Sequence, residues 1–177
     1  MLQIKQYAKV ASLDEAYELN QKKNNVIIGG MHWLKMSSNS VGTAIDLSGL
    51  GLDQIVETDE QFEIGCMTSL RDIECHAGLN AYTNNAVRDA VKDIVGVQFR
   101  NTATVGGSIF GRYGFSDILT IFLALDTRVV LHKAGEIALA EYATMKPDRD
   151  IVVKLIVKKV PVKVAYVAQR RTRTDFP

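Results

Sequence analysis

Residues 101–117 read Asn-Thr-Ala-Thr-Val-Gly-Gly-Ser-Ile-Phe-Gly-Arg-Tyr-Gly-Phe-Ser-Asp, with four glycines and four aliphatic hydroxyls against two charged side chains. These types suit a phosphate-bearing ligand held mainly by main-chain N–H groups, with Thr102, Thr104 and Ser108 adding uncharged donors. Gly106 and Gly107 lack a Cβ, so the chain there can take positive φ and approach a ligand closely. A second double glycine lies in Asn25-Val-Ile-Ile-Gly-Gly-Met-His-Trp-Leu34, after an apolar run of strand character and before a segment with room for one or two helical turns. Such a strand–glycine–helix junction offers free amides to an anion. Each loop taken singly reads first as a tight turn and helix start and only second as a ligand site; the two together shift the balance toward a shared ligand.

Other reactive side chains are sparse. Cys66 and Cys75 are separated by eight intervening residues, with His76 beside the second, whereas iron–sulfur and structural zinc sites need about four paired ligands. His32 and His132 complete no such pattern, so no metal site is predicted and both cysteines read as reduced. No side chain stands out as an acid–base catalyst, and no catalytic residue is assigned. Neither a G-x-G-x-x-G fingerprint nor a G-x-x-x-x-G-K-[ST] loop occurs, which argues against a Rossmann or P-loop site.

The elements that must position these loops follow from caps and periodicity. Ser12-Leu-Asp-Glu15 is a capping box that predicts a helix to about residue 23. Short strands are expected at 26–28, 43–46, 55–58 and 62–65, a helix capped by Thr68 through 75, and another over 86–95. Ser116 and Asp117 introduce an apolar, buried helix over 118–125. Further strands are expected at 128–132, 136–139, 150–157 and 165–169, the 150–157 strand being apolar enough for a central position. The sum is a mixed α+β fold, with a boundary after residue 54 dividing a small N-terminal α/β lobe (1–54) from a larger α+β lobe (55–177). The 158–177 tail carries Lys158, Lys159, Lys163, Arg170, Arg171 and Arg173 against Asp175 alone. It reads as a solvated edge strand or as an electrostatic contact for a partner or for phosphates.

A net charge of +1, 23% charged residues and a mean hydropathy near zero give no sign of a nucleic-acid binder. The opening Met1-Leu-Gln-Ile-Lys-Gln is a short alternating strand rather than a signal peptide, and no apolar run approaches the ~20 residues of a membrane span. A cytoplasmic protein without membrane contact is expected.

Ile-Ile-Gly-Gly-Met-His-Trp-Leu together with Phe-Arg-Asn-Thr-Ala-Thr-Val-Gly-Gly-Ser-Ile, followed by Asp117 in Ser-Asp-Ile-Leu-Thr-Ile-Phe-Leu-Ala-Leu-Asp, resembles the FAD-binding subunit or domain of the molybdenum hydroxylases. This is the xanthine dehydrogenase and carbon monoxide dehydrogenase group, with a two-lobed PCMH-type FAD-binding fold. The resemblance covers essentially the whole chain, and many relatives carry Thr, Ser or Gln where Met31 and His32 stand. It implies that Val26, Ile27, Ile28, Gly29, Gly30, Met31, His32 and Trp33 hold the FAD pyrophosphate. Ala103, Thr104, Gly106, Gly107 and Ser108 then wrap the other side, with Gly111 and Asp117 completing the contact and Ile94 packing near it. Asp117 reads equally as a helix cap. The resemblance further implies electron transfer between two-iron–two-sulfur clusters on a partner chain and NAD or another acceptor, beside a molybdopterin-binding subunit. The family's C-terminal domain is expected to be missing, which leaves a second reading: a truncated or orphan FAD-binding module without turnover of its own.

Overall fold

The computed structural model describes residues 1–169. Strand β1 (Gln3–Lys9), helix α1 (Leu13–Asn20), β2 (Val26–Ile28) and β3 (Ser40–Asp46) build a parallel three-stranded sheet in the order β1-β3-β2. The Ser12 hydroxyl accepts the Glu15 amide at 3.1 Å, and Glu15 reaches past the cap to the Ala11 amide at 2.8 Å. The helix stops short of the expected residue 23. Beyond Asn20 the Lys22 amide turns to the Leu19 carbonyl at 3.4 Å, a carbonyl that Asn25 Nδ2 shares at 2.8 Å, and Arg149 takes the carbonyl of Asn20, so the α-helical ladder does not continue.

The rest of the chain forms β4 (Ile55–Glu57), β5 (Gln61–Gly65), helices α2 (Leu70–Cys75), α3 (Ala77–Tyr82), α4 (Ala86–Val91), α5 (Val97–Arg100), α6 (Val105–Phe110) and α7 (Asp117–Leu123), then β6 (Thr127–Leu131), β7 (Gly135–Ala138), α8 (Leu139–Thr144) and β8 (Val152–Lys158). The five strands pair antiparallel in the order β4-β5-β8-β6-β7. The apolar β8 is central, as its composition predicts. Phe62, Ile64, Val129, Leu155 and Val157 from this sheet share one core with Ile73, Val87, Ile118 and Phe122 from the helices. In α7, Ile118, Leu119, Ile121 and Phe122 are all buried, each contributing about 1.5–3 kcal/mol by leaving water.

Several local expectations are corrected. Ser69, not Thr68, caps α2, in a reciprocal box with Asp72. The helix expected over 86–95 ends at Val91, and Val95 turns left-handed at φ 51°. Residues 165–169 form no strand: β8 already lies between β5 and β6, so the chain leaving it has no open ladder beside it. Instead Val162, Val164 and Tyr166 pack alternately on the core, and the Tyr82 hydroxyl donates to the Lys158 and Val160 carbonyls at 3.0 Å. Arg170, Arg171, Arg173 and Asp175 of the basic tail lie outside the described residues.

Candidate functional site

Strand β2 runs beside β3 in register Val26↔Ala44, Ile27↔Ile45 and Ile28↔Asp46, and its C-terminal end delivers Gly29 and Gly30. Ends of parallel strands are where open α/β sheets place ligands. A Cβ on Gly29 would lie 2.5 Å from Thr104 Oγ1, and one on Gly30 would lie 2.2 Å from the Thr102 carbonyl oxygen. The two glycines therefore let the first loop press against the second; their close approach is to protein rather than to a ligand. Just beyond them Met31 is held at φ 58°, which a residue with a side chain rarely adopts. Among the described residues, the amides of Gly30, Met31 and His32 donate to no protein acceptor. Consecutive free amides at a left-handed turn form an anion-binding concavity.

His32 fixes this turn from behind. Its Nε2 lies 2.8 Å from Thr102 Oγ1, and its ring packs on Phe99 with centroids 3.8 Å apart. Burial, with Lys35 nearby, lowers its pKa, so the imidazole is neutral at neutral pH.

The second glycine sequence differs from the expected open cradle. Thr104 caps α6 by accepting the Gly107 amide at 3.2 Å, while the Val105 amide donates to Thr68 O at 2.9 Å and that of Gly106 to Cys66 O at 2.8 Å. The Ser108 amide and hydroxyl both donate to Thr104 O at 3.1 Å. These amides are committed within the protein, so the free donors of the site come from the first loop. Gly106 serves packing, since a Cβ there would meet Cys66 Cβ and O at 2.7 Å. Gly107 is exposed, and a Cβ on it would meet only Thr104 Oγ1, at 3.1 Å.

A cavity of about 220 Å³ opens between the end of β2, the start of α6 and residues 148–152. It gathers Val26, Ile27, Ile28, Gly29, Thr104, Gly106 and Gly107 of the expected set. Gly30, Met31 and His32 do not line it; they follow Gly29 in sequence, with Gly30 against Thr102 and Ala103 and His32 against Phe99 and Thr102. Ala103 is buried, its carbonyl accepting the Leu70 amide at 2.8 Å. Ser108, Ile94, Gly111 and Asp117 do not line the cavity. Ile94 offers its carbonyl to Arg100 Nη1 at 3.0 Å. A Cβ on Gly111 would run into the Tyr113 ring at 2.6 Å. Ser116, not Asp117, caps α7, accepting the Leu119 amide at 3.2 Å, and the buried Asp117 carboxylate accepts the Tyr166 hydroxyl. Trp33 lies outside the cavity wall and meets Tyr113 and Phe115.

The far wall, residues 148–152, carried no sequence signal: an isolated Arg149 before an apolar strand matches no motif. Arg149 Nη2 donates to the carbonyls of Asn25 at 2.7 Å and Lys22 at 2.8 Å, locking the α1–β2 connection against the entry to β8. Cys66, also in the wall, has its thiol pKa pushed up to about 12 by burial and stays protonated. The surface thus combines a recess that is mainly apolar but carries Asp148, Arg149 and Asp150 on its far wall, a left-handed turn with free amides and a side-chain-free patch at Gly107. That is what the diphosphate and one flanking group of a dinucleotide require, so these residues fit FAD. Its remainder extends beyond a recess of this size.

Residues 2–162 match the family described as the FAD binding domain in molybdopterin dehydrogenase. The uncharacterized protein YgfM of Escherichia coli K12 is 26% identical over 159 residues, which make up 88% of this chain and 60% of that protein. A carbon monoxide dehydrogenase from Hydrogenophaga pseudoflava that lacks the Mo-pyranopterin moiety of its molybdenum cofactor aligns with a TM-score of 0.85 and 23% identity, over 97% of this chain and 65% of the other. Quinoline 2-oxidoreductase from Pseudomonas putida 86 gives 0.83 and 14%, over 99% and 65%. At such identities the structural likeness establishes the fold. This chain spans about 60% of the length of the curated relatives it matches.

Proposed function

This chain belongs to the family of FAD binding domains in molybdopterin dehydrogenases, with FAD as its cofactor, and from that premise we propose that it is the flavin-carrying part of a molybdenum hydroxylase. In this reading it passes electrons between two-iron–two-sulfur clusters on a partner chain, next to a molybdopterin-binding subunit, and NAD or another acceptor. When bound, FAD accepts electrons singly and releases them as a pair. The residues of this chain bind and orient. The free amides of Gly30, Met31 and His32 receive the diphosphate, the recess walled by Val26, Ile27 and Ile28 takes an adjoining part of the dinucleotide, and Gly107 keeps that recess open. We assign residues 1–54 and 55–177 as the two lobes flanking the cofactor, and the cytoplasm as its place of work. Among the described residues no helix is long and apolar enough to cross a membrane.

The observation that carries this reading is the meeting in one recess of Gly29, at the end of β2 and just before the left-handed turn at Met31, with the exposed Gly107 of the second loop. Titration of the purified chain with FAD, followed by filtration and absorbance, is expected to show flavin retained by the protein and released intact on denaturation. A chain that retains neither FAD nor ADP would exclude it.

A further inference from the structure

The two loops that press together at residues 102–104 each continue through a non-glycine residue in the left-handed region, Met31 at φ 58° and Arg112 at φ 49°. Such backbone persists only where its surroundings hold it in place. Both turns are held from behind. His32 packs on Phe99 and bonds Thr102, while Arg112 Nε donates to the Tyr142 carbonyl at 3.0 Å and its guanidinium sits 3.9 Å over the Tyr142 ring. The result is the meeting of three rings from segments far apart in sequence. Trp33 lies 5.8 Å from Tyr113 and 6.0 Å from Phe115, and Tyr113 stacks on Phe115 at 5.1 Å with planes 9° apart.

These rings remain 50%, 43% and 36% exposed for Trp33, Tyr113 and Phe115. A single exposed aromatic is unremarked on a protein surface, but three in mutual contact at the ends of two braced turns are a preorganised face. Its position identifies the occupant, because the free amides at residues 30–32 immediately precede Trp33. A phosphate held there places whatever is tethered to it by a short chain against these rings. Resting on the cofactor reading above, we propose that Trp33, Tyr113 and Phe115 form the seat of the isoalloxazine ring of FAD. That ring is flat and electron-poor; indole and phenol faces are electron-rich and favour offset stacking.

Contact of this kind has an optical signature independent of turnover. A photoexcited flavin touching Trp or Tyr takes one electron from that ring and returns it in the dark, so its emission is lost with no net chemistry. The test compares the parent chain with Trp33→Leu/Tyr113→Leu and Trp33→Phe/Tyr113→Phe, each loaded with FAD and freed of excess, with ADP titrated in parallel. The leucine variant is expected to lose about tenfold more in FAD affinity than in ADP affinity, and to show brighter emission per bound flavin. The phenylalanine variant is expected to keep the affinity and still show the brighter emission, since the stacking faces remain while the electron donors are gone. Equal emission from flavin bound to the parent and to the leucine variant, or unchanged FAD affinity in the latter, overturns the assignment while leaving the cofactor site intact. Failure of the parent to bind either FAD or ADP overturns both.

Discussion

Asn20 and Arg149 hold one another reciprocally: Asn20 Nδ2 donates to the Arg149 carbonyl at 2.8 Å while Arg149 Nε donates to the carbonyl of Asn20. Two further carbonyls, of Lys22 and Asn25, converge on the same guanidinium. A cation thus stands at the C-terminal end of α1, where carbonyl dipoles favour it, and joins the three-stranded sheet's connection to the start of β8. Hydrogen bonds from a charged donor contribute about 1.5–3 kcal/mol each and do not simply add, so Arg149→Met is expected to lower stability by about 3 kcal/mol. Arg149→Lys, which cannot reproduce the fork, should recover less than half. Urea unfolding measures both, and a methionine variant within about 1 kcal/mol of the parent would remove this clamp from the account.

The adjacent glycines of the second loop are expected to separate cleanly. Gly106→Ala forces a Cβ against Cys66 at 2.7 Å and should cost about 2 kcal/mol or more in stability, the usual scale for overpacking. Gly107→Val projects instead into the recess. It should leave the unfolding midpoint nearly unchanged while weakening FAD by at least about tenfold, and Ser108→Ala, whose hydroxyl bonds only Thr104 O, should weaken it less. Thermal melts and FAD titrations of the three variants decide the matter; normal FAD binding by Gly107→Val would mean that the cofactor does not approach this residue.

How much of this was legible in the sequence differs by element. The Ser12 cap, the apolar α7 and the central β8 declare themselves because caps and periodicity are local properties. Helices α3, α5 and α8, of six, four and six residues, are too short to be stable alone and exist through tertiary packing, so propensity carries little trace of them. At the site, both glycine pairs were visible, but not the division of labour between them. Which amides are free depends on Cys66 and Thr68, more than thirty residues away in sequence. Met31 and Arg112 at positive φ gave no warning, because neither is a residue type that favours it.

Glu74 and Arg100 form an ion pair at 2.8 Å with both side chains over nine-tenths buried, and Arg71 adds a contact at 2.9 Å. Burial alone would raise the Glu74 pKa, but the hydrogen bonds from Arg100 and Arg71 outweigh it and hold the carboxyl below its ordinary value. A depressed carboxylate contributes stability that is complete above its unfolded pKa, about 4.3, and is lost as pH falls through the folded value. Glu74→Gln is therefore expected to cost about 3 kcal/mol near neutral pH, by leaving Arg100 buried without its counter-charge, and to flatten the decline in stability below about pH 4.3. Urea midpoints across that range are the measurement. A variant that declines as steeply as the parent would show that other carboxylates govern the acid limb.

His32 sets a second and milder pH window, closer to neutrality. Burial first, and Lys35 second, place its pKa below the ordinary histidine value of about 6.5. The neutral ring is the form that packs on Phe99 and meets Thr102, so its contribution is complete above about pH 6.5 and is lost as pH falls through the lowered folded value. Protonation sets a cation against a partly buried aromatic and beside Lys35, which loosens the turn that carries the free amides. Trp33, the next residue and the single tryptophan of the chain, reports this directly. Its emission is expected to shift between about pH 7 and 5, with FAD affinity falling over the same range, and both changes should shrink in His32→Gln, which retains a side-chain amide for Thr102 but cannot titrate there. An emission profile identical in parent and variant would assign the transition to another group and leave His32 a purely packing role.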